Sequence, residues 1–502
     1  MKIKSVVIVG GGSSGWMTAA ALSKLCPNIK LTLVEDPNTK TVGVGESTLG
    51  QFNAFLQLLD LEDRVWMPKC NATYKNSIRF TNFREGRDES FEYPFGRNFN
   101  LHYAFNGLNT WSQISTLDPD NYPPESFAEF YNNNTFLAKY NRQTKEMPGF
   151  NFKNDTAYHL DAELFGEFLR DRFCKDVKHV SGRVVSCDYH EDGRMNRLFL
   201  DTNVFLTSDL FIDCTGFKSV LLENLMGQKF IPFTTLANDK AIATKIPYVD
   251  EESQMVNVTD CRAMDNGWVW NIPLWNRMGT GYCYSSRFCD HQSALEEFKS
   301  YLGVDDMDYT SIDIRHGKRE KAWVKNVVGV GLSYGFIEPL ESTGLLTTHE
   351  NIVKLVGILN QRDGYVSSIE VEGFNYTCDY DLQMYVDFVA LHYALSMRTD
   401  TPYWNWCTQE CEYKSSMNFL ANTITNHNWF ADMAGVLYIA AGHGLKSTSF
   451  AKMVEVDLLR SNVSMDTVHH SKRSFELHKE WMTEHMKTLP SHYQFLKEEI
   501  YS

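Results

Sequence analysis

Ser5-Val-Val-Ile-Val9-Gly10-Gly-Gly-Ser-Ser-Gly15-Trp16 decides the fold. Val6 to Val9 is a β-branched run with no polar alternation, the pattern of a strand covered on both faces in a parallel sheet. Gly10, Gly12 and Gly15 follow at GxGxxG spacing, and Trp16 to Leu25 is rich in helix formers until Pro27-Asn28 closes it. Ile29 to Val34 then reads as a second strand, with Glu35 at its end. This is a βαβ unit. In it Gly10 permits a tight turn, Gly12 lets the backbone approach a pyrophosphate, and Gly15 allows close helix packing. Ser13 and Ser14 open a helix whose N–H groups face phosphate, and Glu35 can accept from ribose hydroxyls. The spacing points to a dinucleotide and leaves NAD and FAD both open.

Outward from this unit, Val42-Gly-Val-Gly45-Glu-Ser-Thr48 is a glycine-rich segment that lines a ligand or forms a loop. Phe91 to Pro148, dense in Asn, Tyr, Phe and Pro, reads as loops and short elements. Tyr158 to Ala162 is expected to open an amphipathic helix running to Phe173. Strands are expected at Arg183–Ser186, Arg197–Leu200 and Asp209–Cys214, the last ending in Thr215-Gly216. In the final 150 residues, Asn351–Leu359, Leu382–Leu395, Glu412–Thr425 and Ser474–Met486 suit helices. Gly43/Gly45 and Gly329/Gly331/Gly335 lack the GxGxxG spacing, so one dinucleotide fingerprint is present and no second site for NAD(P)H is visible.

At 502 residues the chain exceeds one minimal core. It is 43% hydrophobic and 22% charged, ordinary for a globular protein. With 48 basic against 63 acidic side chains the net charge is −15, which repels nucleic acid. Eleven cysteines without a CxxC pair suggest neither a disulfide framework nor a zinc site, so no metal is expected. Gly10 to Gly12 cut the N-terminal apolar run too early for a signal peptide, and no stretch reaches the length of a membrane span. A reducing cytoplasm is the expected address.

Gly267-Trp268-Val-Trp270-Asn-Ile272-Pro273 matches WxWxIP, although alone two alternate tryptophans could simply fill one face of a buried strand. It is accompanied by Gly45-Glu-Ser-Thr48, Ala72-Thr-Tyr-Lys75-Asn-Ser-Ile-Arg-Phe80, Tyr158-His-Leu-Asp-Ala162, Asp213-Cys-Thr-Gly-Phe217 and Gly335-Phe-Ile-Glu-Pro-Leu-Glu341-Ser-Thr-Gly344. In this order the motifs resemble the flavin-dependent halogenases of the tryptophan halogenase family. The resemblance implies an α/β fold: a Rossmann-type, FAD-binding monooxygenase-like module over 1–349, with inserted loops, and a mostly helical substrate-capping module over 350–502. It implies FAD, supplied as FADH2 by a separate NAD(P)H-dependent flavin reductase, together with halide and O2. Hypohalous acid made at the flavin would pass through an internal tunnel to a small aromatic substrate.

The same resemblance assigns roles. Lys75 would donate a hydrogen bond to hypohalous acid or form a haloamine. Glu341 would polarise the halogenating species or take the arene proton; Glu338 is a nearby carboxylate that the resemblance does not assign this role. Thr343 and Gly344 would bind halide through backbone N–H groups. Gly45, Val184, Asp213, Leu332 and Leu345 would join Gly10, Gly12, Ser13, Ser14, Gly15 and Glu35 around the flavin nucleotide. Trp268 and Trp270 would stand between flavin and substrate, with Ser342, Trp429 and Phe430 on the substrate side. A homodimer is expected on the same ground.

Where members acting on free tryptophan carry a Tyr-Tyr pair, this chain has Trp429-Phe430. Losing two hydroxyls disfavours a zwitterion, whose charges would lack partners. The expected substrate is therefore an electron-rich small arene, indole- or phenol-like, with bromide or iodide favoured because they are easier to oxidise. The alternative is an FAD-dependent aromatic hydroxylase, distinguished by oxygen incorporation without halide.

Overall fold

The Val6–Val9 run forms the strand Ser5–Val9, paired in parallel with Lys30–Glu35 on one side and Leu210–Asp213 on the other. Further parallel pairing adds Lys178–Ser181 at one edge and Val327–Gly329 at the other, where Trp323–Val324 closes the sheet in antiparallel fashion. The absence of polar alternation has its expected cause: Val7 and Val9 on one face enter a buried cluster with Val34, Phe211 and Val327, and Val6 and Ile8 on the other face are buried as well. The computed structural model describes residues 1–39, 45–96, 108–413, 415, 435–445 and 465–502.

The chain forms two units, each built from three separated stretches. The first comprises Met1–Ala72, Leu160–Asp239 and Asp313–Val386, and the second Thr73–His159, Lys240–Ile312 and Asp387–Ser502. The boundary expected at 349/350 falls inside the helix Thr343–Gln361. The first unit carries the parallel sheet, the helices Ser13–Leu25, Ala162–Phe173 and Thr343–Gln361, and two small antiparallel sheets.

The second unit is organised on a mixed sheet in which Gly267–Leu274 lies antiparallel between Val258–Ala263 and Arg277–Tyr284. Val258–Ala263 pairs in parallel with Ser77–Thr81 on its other edge. The predicted helix at Ser474–Met486 is part of Met465–Thr488. The segment expected to be loops and short elements contributes the strand Ser90–Pro94 and the short helices Ser126–Tyr131 and Asn134–Tyr140. The helix expected at Glu412–Thr425 lies largely outside the described residues.

One expectation needs correction. Tyr158 to Leu160 do not open a helix; Ala157–Leu160 is a fully buried strand whose Ala157, Tyr158 and His159 pair with Lys75, Tyr74 and Thr73. The helix begins at Ala162, where the Asp161 carboxylate accepts from the N–H groups of Glu163 and Leu164. An N-cap aspartate marks the boundary that apolar spacing alone misplaced. Among the described residues no helix is long and apolar enough to cross a membrane, no metal-holding cluster occurs, and all eleven cysteines are free thiols.

Candidate active site

Gly10 turns the chain at φ +118° while its N–H donates to Val34 O at 2.8 Å. A Cβ there would stand 2.2 Å from the Cys214 carbonyl oxygen, and a Cβ on Gly15 would stand 1.9 Å from the Gly10 carbonyl oxygen. Both glycines are thus required by close backbone approach. Gly12 is the N-cap of Ser13–Leu25 and supplies no side-chain cap, so the helix start is left open to an anion. Gly10→Ala forces a side chain into left-handed backbone and against a carbonyl. It should cost at least about 2 kcal/mol and weaken FAD retention, read by thermal unfolding and flavin fluorescence.

A cavity of about 330 Å³ opens over this turn, bordered by Gly11, Gly12, Ser13, Glu35, Glu163 and Arg170. The Glu35 carboxylate accepts from His179 Nε2 at 2.8 Å. His179, which the sequence reading missed, in turn packs edge-on against Trp16, with ring centroids 5.4 Å apart. Gly45 has φ +104°, just before the short strand Glu46–Ser47. Val184 is half-buried opposite Leu200.

Asp213 is buried, and its carboxylate accepts from the N–H groups of Thr215, Leu221 and Leu222 and from the Thr215 hydroxyl. It therefore shapes the Thr215-Gly216 turn. Burial raises its pKa, against these hydrogen bonds.

Leu332 lies in the turn Gly331–Ser333, and Leu345 is buried in Thr343–Gln361. Gly331 joins these parts: a Cβ there would meet Ser14 Oγ at 2.8 Å and Thr348 Oγ1 at 2.9 Å.

The turn Pro339–Glu341 is followed by Ser342 in the left-handed conformation (φ 57°, ψ 32°), and Thr343 begins the long helix with no side-chain cap. Successive N–H groups at such a reversal into a helix can face an anion. Ser342 Oγ donates to Ser47 Oγ at 3.0 Å, tying the turn to the Glu46–Ser47 strand. Glu341 and Glu338 are both buried, but in different settings. Glu338 Oε2 accepts from Asn238 Nδ2 at 2.7 Å, and the Glu338 N–H donates to His316 Nδ1 at 3.2 Å. Because Nδ1 accepts, His316 carries its proton on Nε2, which donates to Asn238 O. Glu338 thus belongs to a closed internal network.

In the second unit, Lys75 ends the strand Thr73–Lys75 with no solvent exposure, its Nζ 4.9 Å from the centroid of Phe95. Two residues earlier, on the same face of the strand, the Thr73 hydroxyl donates to Pro273 O at 2.6 Å. Its proton being used there, Thr73 Oγ1 accepts from His159 Nδ1 at 3.2 Å. His159 Nε2 is then the acceptor for Thr259 Oγ1 at 2.8 Å. The neutral ring this requires agrees with a pKa held well below the usual histidine value, by burial first and then by the charge of Lys75.

This chain of bonds fastens the Lys75 strand to the last residue of Trp268-Val-Trp270-Asn-Ile-Pro273. Trp268 and Trp270 are both buried, with rings 6.0 Å apart and tilted by 59°. Thr73→Val keeps the shape and removes both bonds. It should cost about 1–3 kcal/mol, visible as a lowered melting temperature.

A family model described as tryptophan halogenase matches residues 5–454. The chain belongs to the tryptophan halogenase family.

It is 34% identical over 421 residues to the tryptophan 6-halogenase SttH of Streptomyces toxytricini, covering 80% of each chain. It is 34% identical over 427 residues to the tryptophan 7-halogenase RebH of Lentzea aerocolonigenes, covering 80% of this chain and 78% of the other. Among solved structures, VirX1 in its apo form superposes with TM-score 0.96 at 55% identity over the whole of both chains. Xcc4156, a flavin-dependent halogenase from Xanthomonas campestris, superposes with TM-score 0.85 at 28% identity, covering 99% and 98%.

The protein is accordingly a flavin-dependent halogenase, an oxidoreductase with the α/β fold of that class, and uses FADH2, halide and O2. The glycine cradle, the open helix start and Glu35 fit the nucleotide of FAD. The halogenase's first unit holds the expected nucleotide residues with Glu341, Ser342, Thr343 and Gly344; its second holds Lys75, Trp268 and Trp270. Trp429 and Phe430 lie outside the described residues.

Proposed function

We propose that this halogenase acts on an electron-rich small arene, indole- or phenol-like, with Lys75 and Glu341 as its catalytic side chains. The observation that carries this reading is Lys75: a lysine with no solvent exposure, on a strand bonded to the double-tryptophan strand, is not the surface residue that lysine usually is.

FAD, when bound in its reduced form, would give two electrons to O2 while the halide gives the other two, so that FADH2, O2, halide and a proton yield oxidised FAD, hypohalous acid and water. The backbone at Gly10, Gly12, Ser13, Ser14 and Gly15 holds its pyrophosphate and Glu35 its ribose, with Gly45, Val184, Asp213, Leu332 and Leu345 shaping the rest of the nucleotide site. Thr343 and Gly344 present N–H groups to the halide.

Lys75 binds the halogenating species through its ammonium, or carries the halogen as a haloamine when neutral. Trp268 and Trp270 stand between flavin and substrate, and Ser342, Trp429 and Phe430 belong to the substrate side. As the arene adds halogen, Glu341 accepts the proton that leaves the substituted carbon, and aromaticity returns. Bromide and iodide outperform chloride because they give up electrons more readily.

A separate NAD(P)H-dependent reductase provides FADH2 in the cytoplasm, consistent with the single dinucleotide fingerprint, and the working form is a homodimer. The test is incubation with FADH2, O2, each halide separately and a panel of indoles, phenols and free tryptophan. Halogen-specific mass shifts on indoles or phenols, largest with bromide or iodide and weak on free tryptophan, are expected. Folded, flavin-bound protein that modifies only free tryptophan, or inserts oxygen without halide, overturns the reading.

A further inference from the structure

The short strand Glu46–Ser47 lies against the start of the long helix, held there by the bond from Ser342 Oγ to Ser47 Oγ. This places the half-buried Glu46 beside the two residues to which the halide is assigned: a Cβ at Gly344 would lie 3.8 Å from Glu46 Oε2. A carboxylate and a halide that near each other repel strongly where water is scarce. An acidic side chain at this point is thus opposed to the task of the site unless it carries a proton.

We propose that Glu46 makes halide binding proton-coupled: halide enters the Thr343–Gly344 site together with a proton on the Glu46 carboxyl group. The inference rests on the halide assignment made above and adds a residue that sets halide affinity.

The proton is available at working pH. Burial alone lifts the Glu46 carboxyl to about 7. The charged and titratable groups on neighbouring elements of the same unit leave it to burial. Glu341 and Glu338 lie in the preceding turn. Further along the helix, His349 is held near 3 and is neutral, Glu350 is bonded by Tyr385, and Lys354 is paired with Asp381. The Phe52–Leu58 helix carries no ionisable side chain. The sign follows: below pH 7 the carboxyl is neutral and halide binds freely, and above it each unit of pH weakens halide binding by up to tenfold. Reciprocally, bound halide raises the carboxyl pKa, so halide binding takes up a proton near pH 7.5.

The test uses FAD-loaded protein and chloride as probe, read by excess ³⁵Cl NMR line broadening and by proton uptake in weak buffer. Bromide KM is measured in parallel. Wild type should lose halide affinity by about 100-fold between pH 6 and pH 9 and take up a proton on adding chloride at pH 7.5. Glu46→Gln, neutral at every pH, should show a flat profile and no uptake. Proton uptake by wild type does not depend on whether that variant folds.

Gly344→Val separates the two layers. Broadening lost in Gly344→Val but independent of pH in wild type overturns the coupling and leaves the halide site standing. Broadening unchanged in Gly344→Val overturns the halide assignment itself.

Discussion

Lys75→Met is expected to lower halogenation by about 10³-fold while FAD binding stays within a factor of two of wild type. Methionine retains the length and apolar contacts of the stem, including the approach to Phe95, and deletes only the nitrogen. The loss is therefore chemical. A single preorganised donor in a dry site contributes about 10²–10³ in rate, and in the proposed mechanism the Lys75 nitrogen is either that donor or the amine that carries the halogen. FAD binding is spared because the glycine cradle and Glu35 belong to the other unit. Lys75→Arg separates the two proposed roles, since a guanidinium keeps charge and N–H donors but cannot serve as a neutral amine nucleophile: partial rescue supports the donor and no rescue the haloamine. Single-turnover assays with pre-reduced flavin, followed by mass spectrometry, measure the chemistry, and flavin fluorescence measures binding. Retention of more than a tenth of wild-type turnover by Lys75→Met would remove this residue from the mechanism.

Glu341→Gln should reduce arene halogenation by about 10²–10⁴-fold, the range for a positioned general base. The amide preserves volume and one acceptor oxygen but cannot take up the arene proton. Glu338 is the natural control, because it is equally buried and three residues away. Glu338→Ala removes the acceptor of the buried Asn238 amide, while the backbone N–H that donates to His316 Nδ1 is kept. It should therefore appear as a loss of about 1–3 kcal/mol of stability, with activity at low temperature largely kept. Equal kinetic losses in both variants would contradict the division between a proton acceptor and a structural carboxylate.

Much of the nucleotide-binding half was legible because its signals are local. A strand without polar alternation, three glycines and an acidic residue occupy one short stretch, and each reports a steric or electrostatic demand of that stretch. Gly10 shows the demand most directly, with its left-handed φ and its contact with the Cys214 carbonyl. Lys75 and Glu341 were reached through motif resemblance. Their burial could not be read from sequence, because lysine and glutamate are usually exposed. His159 stands inside a motif that the sequence pattern assigns to a helix opening. Only its pairing with the Lys75 strand exposes the error.

What the amino-acid order determined by itself was the βαβ unit and the single dinucleotide fingerprint, each from one short stretch, and the family to which the chain belongs, from several short motifs in a fixed order between Gly45 and Gly344. Tertiary structure alone decided which carboxylate is tied into an internal network and which hydroxyl binds Pro273 across 200 residues. It alone decided that Glu46 faces Gly344 through a strand held by a bond spanning 295 residues. The reason is physical. Hydrogen bonds and burial act at ångström range between surfaces brought together by folding, and such contacts leave no period or spacing in the sequence for a local reading to detect.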